Sequence, residues 1–127
     1  MNPGIGMTTL TTELLDDIVA AFNEHDAEKV VSFFHTEGEL ISASGGNGRG
    51  TLTKGRDAIR EALKARFTAS PDIQWMEGMS WIAANQAVTE FRVVATLPDG
   101  GKLDVLGCDV WEFSGDKILR KNTYYKQ

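Results

Sequence analysis

Asp109 is the residue whose type and surroundings most call for chemistry. It lies in an apolar, strand-like run, Leu103-Asp104-Val105-Leu106-Gly107-Cys108-Asp109-Val110-Trp111-Glu112-Phe113. Alternation along a strand puts it on one face with Leu103, Val105, Trp111 and Phe113, where an ionised carboxylate is costly unless something compensates. Three compensations are open: a proton kept on the carboxyl, a paired cation, or a wetted pocket. Each favours a ligand cavity over plain core. Held protonated, Asp109 would donate to a substrate carbonyl or enolate. Paired with a cation it stays charged, and a purely structural ion pair is then the competing reading.

Its partner must come from the last strand. A two-residue Gly115-Asp116 turn sets Asn122 opposite Asp109, whereas a three-residue Ser114-Gly115-Asp116 loop sets Lys121 there, because one residue of loop length exchanges the faces. Both registers remain open. Trp111, Phe91 and Tyr125 would line a cavity beside Asp109 and stack on a flat apolar ligand, with ordinary core packing as the alternative. Other reactive residues point to structure. Cys108, the single cysteine, has no histidine near it in sequence and reads as a small buried hydrophobe. Glu90 and Arg92 share the opposite face of their strand and would form a surface pair. His25 and His35 fall at helix ends, where backbone hydrogen bonding explains them. No Cys/His set has zinc spacing and no acidic loop has calcium spacing, so neither metal nor cofactor is expected. The Gly45 to Gly50 loop lacks the Lys-Ser/Thr ending of a phosphate loop.

The elements that must position these residues are legible from periodicity. Thr11-Thr12-Glu13 offers a cap for a helix of about 14 residues through Leu14, Leu15, Ile18, Val19 and Phe22. Asp26 caps a second, shorter helix through Val30, Val31, Phe33 and Phe34, and a strand at Glu39–Ala43 follows. Ser44 to Gly50 is too rich in glycine for a regular element and reads as a mobile loop. Gly55-Arg56-Asp57 opens a third helix with Ile59, Leu63 and Phe67 on one face, closed by Pro71. Period-two strands then run over Ile73–Ala83, Ala87–Leu97, Lys102–Phe113 and Lys117–Lys126, joined by short turns into an antiparallel meander. Helices packed on one sheet face make an α+β fold. Leu106, Cys108 and Val110 leave the other face partly apolar, and the expected cover is a second copy, a homodimer through the sheet.

With 127 residues, 42% of them hydrophobic, the chain suits a single domain over residues 11–127 behind a flexible leader at 1–10. It carries 13 basic and 18 acidic residues, a formal charge of −5, with no basic stripe for nucleic acid. No apolar run approaches the length of about 18 residues that a membrane span needs, and the start lacks a signal-peptide pattern, so a cytoplasmic location is expected.

Three stretches together resemble the SnoaL-like polyketide cyclase and ketosteroid isomerase branch of the nuclear transport factor two superfamily. They are Phe22-Asn23-Glu24-His25-Asp26-Ala27-Glu28-Lys29-Val30-Val31 with Phe33-Phe34, then Gly55-Arg56-Asp57-Ala58-Ile59-Arg60-Glu61, and Asp109-Val110-Trp111-Glu112-Phe113 followed by Asp116-Lys117-Ile118. The resemblance implies a cone-shaped fold, with three N-terminal helices packed on a curved, mainly antiparallel sheet enclosing a pocket, usually in a dimer. It sets Asp109 at the position of the protonated aspartic acid of ketosteroid isomerase. The isomerase tyrosine falls on Ile18 and its carboxylate base on Ser42, which argues against that particular reaction. The same alignment favours Lys121, Thr123 and Tyr125 on the cavity face. The expectation is thus a cofactor-independent protein for a small hydrophobic, oxygen-bearing molecule, an isomerase, cyclase or dehydratase. Asp109 would be acid, donor or base, Lys121 and Tyr125 would orient or polarise, Ser42 would offer a rim hydroxyl, and Thr123, Phe91 and Trp111 would shape the wall. A non-catalytic ligand carrier or dimeric interaction module is the alternative, since one fold hosts both.

Overall fold

The computed structural model describes residues 10–127. The leader expected at residues 1–10 lies outside them, except for Leu10, whose side chain is buried in the core. Thr11 accepts a hydrogen bond from the Leu14 amide at 3.1 Å and starts α1 (Thr12–Asn23), whose Leu15, Ile18, Ala21 and Phe22 form a buried stripe. Asp26 accepts from the Lys29 amide at 3.0 Å and starts α2 (Ala27–Ser32). This helix is shorter than its apolar spacing suggests. Phe33 and Phe34 leave it, and Phe34 opens β1 (Phe34–Ile41), where an aromatic gains more from a fully buried place opposite Ile118 than from another helical turn. His35 is therefore a strand residue, its Nδ1 accepting from the Glu37 amide.

The glycine-rich segment is folded back on itself. Gly46–Gly48 forms a 3-10 turn, and the amides of Gly48 and Gly50 both donate to the Gly45 carbonyl at 3.0 Å. Gly50, at φ +85°, passes so near the Ser42 carbonyl that a Cβ would collide with it. The expected irregular loop is thus a built turn, ordered by backbone bonds that the composition does not reveal. A three-residue strand, β2 (Leu52–Lys54), follows; it is too short to show alternation in sequence.

The rest follows the expected plan: α3 (Arg56–Ala69), then β3 (Gln74–Ala83), β4 (Gln86–Thr96), β5 (Lys102–Ser114) and β6 (Lys117–Tyr125). The result is a mixed α+β fold, three helices with one curved, unclosed sheet of six strands in the order β2-β1-β6-β5-β4-β3. The meander β3 to β6 is antiparallel, whereas β1 joins β6 in parallel, with Leu40 beside Lys121. The expected three N-terminal helices are two, since α3 comes after both β1 and β2 rather than after the single expected strand. No helix of the described residues is long and apolar enough to cross a membrane.

Two bulges decide which residues face the helices. In β3 the register slips between Met76 and Met79, where Glu77 has φ +58°, so Trp75 lies opposite Val93 while Ser80 lies opposite Thr89. In β6 Ser114 pairs with Lys117 and Phe113 with Ile118, but Glu112 pairs with Arg120, leaving Leu119 as the extra residue.

Candidate functional site

The β6 bulge settles the partner of Asp109 in a way that loop length alone does not. The connection is the two-residue Gly115-Asp116 turn, which by itself would put Asn122 opposite Asp109. Leu119 bulges out and shifts the pairing by one, so Asp109 faces Thr123 and Trp111 faces Lys121. Asn122 is thereby sent to the outer face, where its amide donates to the Tyr124 hydroxyl.

Around Asp109 the polar groups are closed on one another. Its carboxylate accepts from the Thr123 hydroxyl at 2.5 Å and from the Lys121 ammonium at 3.1 Å, and Lys121 also donates to Thr123 Oγ1 at 3.0 Å. Asp109 and Lys121 are only 4% and 6% exposed, so each charge depends on the other for what water would supply. Of the three compensations open to a buried acid, the paired cation is the one present. The Lys121 ammonium also lies 4.9 Å from the Phe22 ring centroid and 5.8 Å from that of Trp111, within cation–π reach. Thr89, opposite Asp109, takes the Trp111 indole N–H at 3.0 Å and shares a hydrogen bond with Ser80.

A cavity of about 300 Å³ lies between this part of the sheet and the helices. Lys121, Thr123 and Tyr125 of β6 line one side; Phe22 of α1, Leu63, Arg66 and Phe67 of α3, and Trp75 of β3 line others, and the end of β1 with Ser42, Ser44, Thr51 and Thr53 completes the wall. Asp109 does not border it. Together with Phe91 and Trp111, Asp109 borders a separate void of about 20 Å³, room for one water, and Lys121, Phe22 and Trp75 border both spaces. Phe91 and Trp111 therefore do not form the wall expected of them. They are 4% and 1% exposed, behind a layer shared by Phe22 and Lys121, and the rings facing the larger space are Phe22, Phe67, Trp75 and Tyr125.

Ser42 lines the cavity, but its hydroxyl is engaged. It donates to the Ser44 carbonyl at 2.8 Å and accepts from the Thr51 amide at 2.9 Å, holding the glycine-rich turn in place. Ile18 is fully buried in α1. Tyr125 is half-buried, and burial pushes its phenol above the ordinary value of 10, so at neutral pH it keeps its proton. Gly107 makes room for this ring: a Cβ there would come within 3.0 Å of Tyr125 and 3.1 Å of Phe91.

Arg66 escaped the sequence reading. Its Nη2 donates to the Tyr125 hydroxyl at 3.4 Å, and it forms no ion pair among the described residues. The signal was present, since Arg66 follows Ile59 by seven and Leu63 by three and so sits on the apolar face of its helix. The expected Glu90–Arg92 pair is replaced by Arg92 with Asp104, at 2.8 Å. Asp104 is a diagonal neighbour of Arg92 on the next strand, within reach of a long side chain. Burial raises the Cys108 thiol above its ordinary value of 9.0, with Asp109 and Glu90 adding to the effect, which suits an inert side chain. Among the described residues no group of three or more His, Cys, Asp or Glu comes together.

The sequence matches the model of the SnoaL-like domain over residues 15–121, most of its length, and the chain belongs to that family. Similar solved structures include a protein of ketosteroid isomerase-like fold from Catenulispora acidiphila in complex with trimethylamine, 14% identical with a TM-score of 0.79 over 92% of this chain and 88% of that one. Two others carry polyketide cyclase names. One from Pseudomonas putida is 16% identical, with a TM-score of 0.80 over 93% of each chain. One from Xanthomonas campestris is 17% identical, with a TM-score of 0.79 over 91% and 89%. At these identities the likeness shows the fold. No curated protein matches the chain.

Proposed function

We propose that the cavity binds a small hydrophobic, oxygen-bearing molecule of steroid- or polyketide-like shape and isomerises, cyclises or dehydrates it without a cofactor. The observation that carries this reading is a buried ammonium, Lys121, fixed by Asp109 and Thr123 and bordering a cavity whose wall combines aromatic and aliphatic side chains with the hydroxyls of Ser42, Thr51 and Thr53 and the Arg66 guanidinium. Membership of the SnoaL-like family and neighbours named as polyketide cyclases support it. A preorganised donor is worth most where charge develops away from water. Lys121 and the protonated Tyr125 would stabilise an enolate or alkoxide oxygen, while Asp109, behind Lys121, acts as the positioning group that holds the ammonium in place.

The test is turnover and binding across steroid- and polyketide-like ketones for the parent, Tyr125→Phe, Lys121→Met and Asp109→Asn, with a melt on each. Losing one such donor lowers kcat by about a hundredfold or more, and Tyr125→Phe is expected to show this with its melting temperature nearly unchanged. Equal turnover in Tyr125→Phe and Lys121→Met, or no ligand taken up by the parent at all, would refute the assignment.

A further inference from the structure

The large cavity has an unbalanced charge. Its lining contains two cations, Lys121 and Arg66, and no carboxylate. Lys121 is answered by Asp109 from the neighbouring void. Arg66 is not: among the described residues no carboxylate lies within ion-pair distance of it, and residues 1–9 contain no acidic side chain that could supply one. The chain as a whole carries −5, so an uncompensated guanidinium at its cavity runs against the overall balance. Seven of the other arginines and lysines do have acidic partners: Lys29, Lys54, Arg60, Lys64, Arg92, Arg120 and Lys121.

We propose that Arg66, with the Tyr125 hydroxyl beside it, is a subsite for an anionic oxygen, and that the ligand is an apolar acid, a carboxylate or ionised enol on a flat ring body. The claim rests on the cavity reading above and narrows it. A guanidinium is the side chain best matched to a carboxylate, offering a planar fork of donors that stays charged at any working pH. Its Nη2 is already turned toward the Tyr125 hydroxyl, which at 3.4 Å is a long, loose bond that an incoming anion can replace. Both groups would then donate to the same oxygen. The apolar body would lie against Phe22, Phe67 and Trp75, the rings that wall the same space. Because Lys121 is already neutralised by Asp109, Arg66 rather than Lys121 sets the charge preference. A cationic amine, the type of ligand held by the Catenulispora neighbour, is disfavoured here.

Four ligands of one shape separate charge from fit: 2-naphthoate, 2-naphthamide, methyl 2-naphthoate and 2-naphthylmethylammonium. Affinity is read by calorimetry and location by the Trp75 indole N–H signal in NMR, for the parent, Arg66→Gln and Arg66→Lys. Thermal melts on all three show that each is folded. A hydrogen bond to a charged group is strong enough for a preference of about tenfold to a hundredfold. The parent should favour the acid over the amide by at least about tenfold and bind the ammonium weakest. Arg66→Gln should bring acid and amide within about twofold, and Arg66→Lys should keep most of the preference. If the ligands shift the Trp75 signal but acid and amide bind the parent alike, or Arg66→Gln keeps the parent's ratio, the anion subsite is wrong while the cavity reading survives. If none of the four shifts that signal at millimolar concentration, both fall.

Discussion

At the level of single residues, the Asp109–Lys121 pair joins stability to function in a way that can be taken apart. Both groups are nearly sealed from water, and removing one leaves the other as an uncompensated buried charge, a change that costs about 3–5 kcal/mol. Asp109→Asn should therefore lower the unfolding free energy by about that amount, and Lys121→Met similarly. The double variant should lose clearly less than the sum, since neither charge remains to be left unpaired, with a coupling of about 1–3 kcal/mol. Chemical denaturation of the four proteins measures it; additive losses would mean the two side chains do not interact. A structural and a functional role are compatible here, because a donor held this firmly needs little reorganisation on meeting a ligand.

At the level of elements, the loop after α3 is tied to the end of β4 by Asp72, whose carboxylate accepts from the Thr96 amide at 2.8 Å and the Thr96 hydroxyl at 2.6 Å. These bonds hold its pKa below the ordinary 3.8, the side-chain bond from Thr96 contributing most. A carboxyl depressed in the folded state stabilises it above the ordinary carboxylate range and loses that contribution as pH falls through its folded value. Melting curves from pH 6 down to 2.5 should drop less steeply for Asp72→Asn than for the parent. Equal slopes would mean the tie is not formed. How far the sequence reveals such elements depends on what signals them. The four meander strands were legible nearly to the residue, because alternation and turn residues are local and repeated. The Lys121–Asp109 face was open in the residue pattern, and only the family resemblance favoured Lys121, Thr123 and Tyr125 there. It depends on Leu119 slipping out of register in β6, and a bulge leaves no mark in an alternating pattern when Lys121 and Asn122 are both polar. The bulge in β3 was hidden the same way: Trp75 and Ser80 reach the inner face on opposite parities. The wall of the cavity was missed for a different reason, since Arg66, Phe67 and Trp75 meet only when α3 is laid over the sheet.

At the level of the whole molecule, the outer face of the sheet remains apolar in its middle. Trp81, Leu106, Val110 and Tyr124 are 53%, 46%, 40% and 54% exposed, and Val110 lies directly across from Val88. A contiguous apolar surface on a folded domain marks an interface more often than bare surface. A second copy of the chain is the cover proposed here. Light scattering after gel filtration should give a dimer at micromolar concentration, and Val110→Arg should give a monomer that keeps the parent's Trp75 signal. A monomeric parent would remove the proposal. The place of β6 in the sheet carries a last consequence. It is the final strand in the chain yet lies between β1 and β5, and its partner Leu40 is separated from Lys121 by some two-thirds of the polypeptide. Contacts between such distant segments form slowly, because the intervening chain must first be ordered. Until β1 meets β6, the β1–β2 pair on one side and the β3–β6 meander on the other each present a bare edge, and the cavity, lined from both, is incomplete. Acquiring the native topology and acquiring the binding chamber are therefore one event, and a folding intermediate of this protein would be blind to its ligand.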